Sequence, residues 1–299
     1  MKSKTLISTV ILAASMISCG GGYSEKDYLS INKDGEGTLA TIEREGKQNA
    51  GYLFIDENFA PKTRAFDTMY HFINGYAYAR NSNKDTRDSI FFVDKNYREL
   101  SMNDVTDVLF YNNKPLITTE GNVWVIKEDG KSRMIHIEDG KELNEGIGAE
   151  LVIEQVLNNG NMVMRRPLRG GLNPIWDYAL YASDGQAIKP FGTLTFIGDY
   201  SNGLARYSTN GYAQAKYMHE SQKASTLVNH YGTTENDRDL TIGYMDEDVN
   251  IVISEQYCNA SDFDENGVAA VGYETRGAHP NRFYINRNNQ RVDYNGNPI

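Results

Sequence analysis

The feature that most constrains this chain is that it repeats itself. The stretch Gly243-Tyr244-Met245-Asp246-Glu247-Asp248 is followed by Ile251-Val252-Ile253, by Tyr257 and Phe263, and then by Gly267-Val268-Ala269-Ala270-Val271. It reads strand, turn, strand, turn, strand: aromatic and apolar residues run into an acidic turn, and a glycine opens a last strand of small and apolar side chains. The plan returns at Gly51-Tyr52-Leu53-Phe54-Ile55-Asp56 with Phe72 and Gly75-Tyr76-Ala77-Tyr78-Ala79, and at Phe91-Phe92-Val93-Asp94 with Phe110 and Asn113. A degenerate copy runs from Val123-Trp124-Val125-Ile126 to Asn159-Gly160-Asn161-Met162-Val163. Another runs from Tyr178-Ala179-Leu180-Tyr181 through Asp184-Gly185 to Tyr200 and Gly203-Leu204-Ala205-Arg206-Tyr207. One such unit cannot bury its own apolar face, so five copies predict β-units stacked on a continuous core. The 20 tyrosines agree, because Tyr suits a pleated, half-buried surface.

Two half-units flank the five. Gly37-Thr38-Leu39-Ala40-Thr41-Ile42 looks like a last strand and Arg282-Phe283-Tyr284-Ile285-Asn286 like a first one. Pairing them would remove two open sheet edges. The expected fold is therefore all-β, a repeat array forming a six-bladed β-propeller closed by its N- and C-terminal half-units, with an open β-solenoid as the alternative. Gly75, Gly203 and Gly267 open last strands and are expected to be structural, serving a positive φ or a close strand approach.

The units resemble the WG-repeat (KWG-repeat) family, whose pattern is Gly-aromatic-Ile-Asp, an Ile/Val strand, then Tyr-Asp-x-Ala-x-x-Phe-x-x-Gly-Leu-Ala. Residues 243–271 carry most of it, with Val249 in place of the turn glycine and Ser254 where Pro is frequent. The resemblance covers about residues 35–292. It implies a scaffold common in bacterial envelope proteins and no particular chemistry.

The N-terminus reads as an address. Lys2 and Lys4 precede a 13-residue apolar run, Thr5 to Ile17, too short to span a bilayer comfortably. Met16-Ile17-Ser18-Cys19-Gly20 resembles the lipobox of bacterial lipoproteins, with Met16 where Leu is commonest. The expected organisation is a signal peptide over 1–18, a lipidated flexible tether over 19–33, Gly-rich at Gly20-Gly21-Gly22, and a β-repeat domain over 34–299. Lipidation at Cys19 would anchor the chain to a membrane of the cell envelope, at the outer membrane's periplasmic or surface face, and leave Cys258 as the one free thiol. Losing Lys2 and Lys4 takes the net charge from −10 to −12, which argues against a nucleic-acid partner.

Candidate chemistry is sparse. Asp262-Phe263-Asp264-Glu265-Asn266-Gly267 opens like a calcium loop, but Ala270 and Tyr273 stand at its ninth and twelfth positions. The framework of the repeat accounts for the same residues. His71, His136, His219, His230 and His279 show no metal spacing, so neither metal nor cofactor is expected. Arg165-Arg166-Pro167-Leu168-Arg169 is the one basic cluster, either a loop that grips an anion or an offset to nearby acids. Carboxylates pair at Asp104 and Asp107, Glu150 and Glu154, and Asp246 to Asp248. Asp67-Thr68-Met69 and Asp88-Ser89-Ile90 resemble the O-glycosylation sequons of Bacteroidetes envelope proteins. The leading expectation is a non-enzymatic envelope lipoprotein that binds a protein or glycan partner. The alternative is a propeller enzyme acting on carbohydrate, with acidic residues at a channel mouth.

Overall fold

The structure is a computed structural model and describes residues 23–34, 36–44, 50–82, 89–148, 150–169, 175–209, 241–273 and 282–299. Among them, regular structure is all strand apart from one 3-10 turn, Glu25–Asp27. The chain forms two compact units, residues 1–108 with 136–141, and 109–135 with 142–299.

The first unit holds β1 (Ser30–Asp34), β2 (Gly37–Ile42), β3 (Gly51–Ile55), β4 (Thr68–Met69), β5 (Tyr76–Asn81), β6 (Ser89–Asp94), β7 (Glu99–Ser101) and β8 (Val105–Val108). Strands β1-β2-β3 form one antiparallel meander and β4-β5-β6-β7 another. Leu39, Phe54, Phe66, Met69, Ala77, Ala79 and Val93 pack into one core cluster of this unit, where Phe54 stacks on Phe72 at 4.5 Å between ring centroids.

The second unit holds β9 (Phe110–Tyr111), β10 (Lys114–Pro115), β11 (Asn122–Lys127), β12 (Ser132–His136), β13 (Val152–Val156), β14 (Met162–Arg169), β15 (Ile175–Tyr181) and β16 (Ala187–Leu194). It continues with β17 (Phe196–Ile197), β18 (Leu204–Ser208), β19 (Ile242–Asp246), β20 (Ile251–Tyr257), β21 (Asn259–Ala260), β22 (Val268–Gly272), β23 (Arg282–Asn286) and β24 (Arg291–Val292). Its three full sheets, β13 to β16, β17 to β20 and β21 to β24, are four-stranded meanders in sequence order. Apolar side chains fill the space between them. Phe196, Tyr244, Ile253, Tyr257, Phe263, Val271 and Ile285 from the last two sheets share one cluster.

One turn recurs throughout. Asp56 shows it: its Oδ1 accepts the backbone N–H groups of Asn58 and Ala60, both at 2.9 Å. Its own N–H donates to the Ala60 carbonyl, and Phe59 N–H donates back to its carbonyl. Asp94, Asp264, Asn286 and Asp293 build the same loop. The fourth residue takes a positive φ each time, as at Phe59 (63°), Tyr97 (62°), Gly267 (71°), Asn289 (60°) and Gly296 (85°). The Asp246 turn follows suit, with Val249 at 67°. Gly75 and Gly203 belong to a tighter kind, the two-residue hairpin turns Asn74-Gly75 and Asn202-Gly203, where both residues have φ > 0. Asn112-Asn113 is a third of these.

The repeat seen in the sequence and the sheets seen in space are out of phase by half a unit. Residues 243–271 span β19 and β20 of one sheet and β21 and β22 of the next. The boundary between sheets is a single residue, Cys258 here and Thr195 between β16 and β17, with no turn chemistry to mark it. Closure by shared half-units is therefore not how the ends are completed. Strand β2 has β1 and β3 on its two sides and β23 has β22 and β24, so residues 39–42 and 283–285 do not share a sheet. Strand β1 comes from the span expected to be tether. The signal peptide and Cys19 lie outside the described residues. The acidic stretch of residues 130–152 contains β12, with Ser132 and Ile135 of that strand bridged by Ile147 and Glu142.

These turns generate two expectations. No neighbouring atom lies within 4 Å of a Cβ added at Gly267, so a substitution there meets only backbone strain. Gly267→Val and Gly267→Ala should each cost about 1–2 kcal/mol in urea unfolding, and Gly267→Asn much less, because Asn tolerates this conformation. The turn N–H groups at Asp56, the Asn297 side-chain amide together with turn N–H groups at Asp293, and the Arg133 bonds at Asp129 hold these carboxyls below the usual range. The unfolded chain then binds protons more readily, so the stability they contribute is complete above the ordinary aspartate value of 3.8 and is lost as pH falls below it. A melting-temperature series from pH 6 to 2.5 should decline in that window, and Asp56→Asn should lessen the decline.

Candidate functional site

A cluster of buried polar groups lies in the second unit, where the sheet of β17 to β20 meets that of β21 to β24. Arg206 sits mid-strand in β18 between Ala205 and Tyr207, and only 5% of its surface is exposed. A guanidinium cannot lose its charge there, so it needs a partner. Its Nε donates to Asp262 Oδ1 at 2.7 Å, Nη2 to Asp262 Oδ2 at 3.2 Å, and Nη1 to the Ala260 carbonyl at 3.0 Å. The Phe196 ring lies against the guanidinium at 5.7 Å. Beside the pair, Tyr244 donates its hydroxyl to the Ser261 carbonyl at 2.7 Å and packs edge-on against Phe263. Burial pushes the Asp262 carboxyl above the ordinary range. Arg206 pulls it back down, and the charge of Asp199 adds to the rise.

The cluster continues toward the sheet of β13 to β16. Burial raises the Tyr178 hydroxyl pKa, with Arg165 opposing and Glu154 and Asp199 reinforcing. Tyr178 meets Phe196 edge-on at 6.4 Å. Arg165 pairs with Glu154 at 2.9 Å and lies 4.1 Å above the Trp176 ring. Arg166 is bonded to Asp177, directly opposite on β15, and covers Phe191 at 4.5 Å. The basic cluster is thus part of strand β14 rather than a loop, and Arg165 and Arg166 are engaged by neighbouring acids.

The Arg206–Asp262 pair thus joins two sheets, while Arg165–Glu154 and Arg166–Asp177 join neighbouring strands within the sheet of β13 to β16. The Arg206 nitrogens are all directed at protein oxygens, and Asp262 is held by the same arginine, so the calcium-loop opening is committed to the fold. Asp264 Oδ1 accepts the N–H groups of Asn266 and Val268. No group of three His, Cys, Asp or Glu side chains among the described residues is arranged to hold a metal ion. Of the histidines, His136 lies 3.0 Å from Asp139 and His71 3.9 Å from Asp34, in the first unit. His219, His230 and His279 lie outside the described residues. Cys258 is half-buried at the crossing between sheets and forms no disulfide among the described residues. Asp107 lies 3.9 Å from Arg80, Asp246 caps its turn, and Thr68 and Ser89 lie in strands. The Arg206–Asp262 pair was not singled out from the sequence, yet it leaves a mark there. A lone arginine in the apolar strand Leu204-Ala205-Arg206-Tyr207 demands a buried acid nearby.

No protein-family model matches the chain, and no curated protein matches it. Among solved structures it is similar to BamB from Moraxella catarrhalis, at 11% identity over 88% of this chain and 71% of that one, with a TM-score of 0.33. It is also similar to an oligogalacturonate lyase in complex with manganese, at 10% identity over 85% and 83%, TM-score 0.31. The extracellular domain of a hybrid two-component system from B. thetaiotaomicron aligns at 13% identity over 91% and 41%, TM-score 0.30. Likenesses of this degree leave fold and function to the chain's own residues.

Removing one member of the Arg206–Asp262 pair should be far worse than replacing both. Asp262→Ala strands a buried guanidinium and is expected to cost about 3–5 kcal/mol. The double variant Arg206→Met with Asp262→Leu should recover most of that loss in urea unfolding.

Proposed function

We propose that this chain is a cell-envelope lipoprotein, anchored by a lipid on Cys19, whose β-repeat body is a non-enzymatic scaffold for a protein or glycan partner. The observation that carries the scaffold reading is that the strand-borne arginines of the second unit are engaged by acids of the fold itself. Arg206 pairs with Asp262 between two sheets, and Arg165 with Glu154 and Arg166 with Asp177 within one. The exposed large side chains include Tyr273, Tyr284 and Tyr294, which are of the kind that contact partners without reacting. The anchor rests on the lipobox-like Met16-Ile17-Ser18-Cys19.

The successive meanders, beginning at residues 30, 68, 105, 152, 196 and 259, are read as the six blades of a WG-type β-propeller, each blade completed by its own strands. A ring formed by residues 30–299 should give a radius of gyration of about 18 Å in small-angle scattering, and an open stack a larger one.

Two measurements test the functional reading. Cys19→Ala should abolish acyl labelling and release the protein from the membrane fraction; unchanged labelling would overturn the anchor. The purified body should bind an envelope protein or glycan saturably and leave it intact. Release of cleaved glycan would instead establish the carbohydrate-active alternative, and loss of that cleavage in Asp262→Asn would place it at the Arg206–Asp262 pair.

A further inference from the structure

Residues 282–299 reverse the charge balance of the chain. Arg282, Arg287 and Arg291 stand there against a single acidic side chain, Asp293, in a sequence whose net charge is −10. Asp293 is occupied by its own turn: Oδ1 accepts the N–H groups of Asn295 and Asn297, and Oδ2 the Asn297 amide. The three arginines are exposed, and none makes a hydrogen bond or ion pair among the described residues. In the same unit Arg133, Arg165, Arg166 and Arg206 are each held by an acid. The guanidinium of Arg291 lies 4.0 Å above the Phe283 ring on the neighbouring strand. A guanidinium held against a ring keeps one orientation, and the N–H groups on its rim remain available to grip a carboxylate through two parallel hydrogen bonds. Beside it Tyr273, 54% exposed, lies 5.5 Å from Phe283 and 5.3 Å from Tyr257 of the neighbouring sheet. Tyr257 donates its hydroxyl to Oδ1 of Asn289, in the turn between β23 and β24. That bond orients the amide, whose two N–H donors have no partner among the described residues.

We propose that this patch, Tyr273, Phe283 and Arg291 with Asn289, binds an acidic glycan whose pyranose rings carry carboxylates. The assignment rests on the scaffold function proposed above and narrows its partner to one chemical class. The C–H face of a pyranose is slightly positive and flat, which suits the negative face of the Tyr273 ring. Arg291 takes the carboxylate in the plane of its guanidinium, and the Asn289 amide donates to a sugar hydroxyl. Arg282 and Arg287 add attraction for further carboxylates along the polymer, and no unoccupied acid of this segment opposes them. An acidic peptide would satisfy the arginines without offering Tyr273 a flat face to stack on.

Calorimetric titration of the full chain tests this with hexamers of mannuronate, galacturonate and glucuronate, the matching neutral hexamers, and a polyglutamate peptide. At least one uronate hexamer should bind saturably, more weakly as salt is raised, and its neutral counterpart about tenfold or more weakly. Arg291→Lys keeps the charge but loses the planar fork, and should raise the dissociation constant about tenfold. Tyr273→Ala should do the same, whereas Tyr273→Trp should keep or improve the affinity. Both side chains are exposed, so melting temperatures should stay within a degree or two of the parent, about the effect expected of surface changes. Binding of no uronate hexamer overturns the assignment. So does equal binding of the neutral hexamers or of polyglutamate, or parental affinity in both Arg291→Lys and Tyr273→Ala; none of these touches the scaffold reading. A shortened hexamer recovered after binding would overturn the scaffold reading instead, while the affinities of the Arg291 and Tyr273 variants would still decide this site.

Discussion

A hairpin that reverses in five residues leaves backbone N–H groups turned inward with no strand partner, and the meanders described here depend on how that shortage is met. A single side-chain oxygen at the first position accepts two of those groups, and a positive φ at the fourth position brings the chain back into register. The carboxylate of Asp56, Asp94, Asp264 or Asp293 and the amide of Asn286 do this equally, because the acceptor matters rather than the charge. The fourth position is less demanding than a glycine pattern implies. Val249 is 8% exposed and packs in the core with Leu157, Met245 and Tyr207, which offsets the strain of its backbone.

Turns also bind sheets to one another in the second unit. Asn159 in the turn before β14 donates to the Glu247 carbonyl in the turn after β19, and the Tyr200 N–H donates to Gln155 Oε1 of β13. Ser201 donates to the Phe263 carbonyl and Asn202 to that of Asp264, joining the next two sheets. Side-chain amides and hydroxyls thus tie the ends of sheets whose faces are held by apolar packing. The Arg206–Asp262 pair adds a charged tie midway along the strands.

The buried charge of Arg206 and Asp262 has its cost in the partner each requires. Either group left alone inside the fold would be strongly destabilising, so the two residues must be kept or replaced together.

Much of the architecture was legible in the residues alone. Strand class follows from the aromatic and apolar alternation of segments such as Tyr76-Ala77-Tyr78-Ala79, and the turn positions follow from Asp, Asn and Gly, because both signals are local. The role of Gly267 as a turn glycine follows the same logic. Three things were settled only in three dimensions. The grouping of strands into sheets could not be read, since a sheet boundary is one ordinary residue, Thr195 or Cys258, while the conspicuous turns lie within sheets. The completion of the terminal strands by β1 and β24 was hidden because β1 is polar and mostly exposed and β24 is two residues long. The pairing of Arg206 with Asp262 spans 56 positions. A sequence specifies each strand and turn through short-range sterics and hydrogen bonding, but which strands share a sheet and which acid meets which arginine is decided by how the sheets stack.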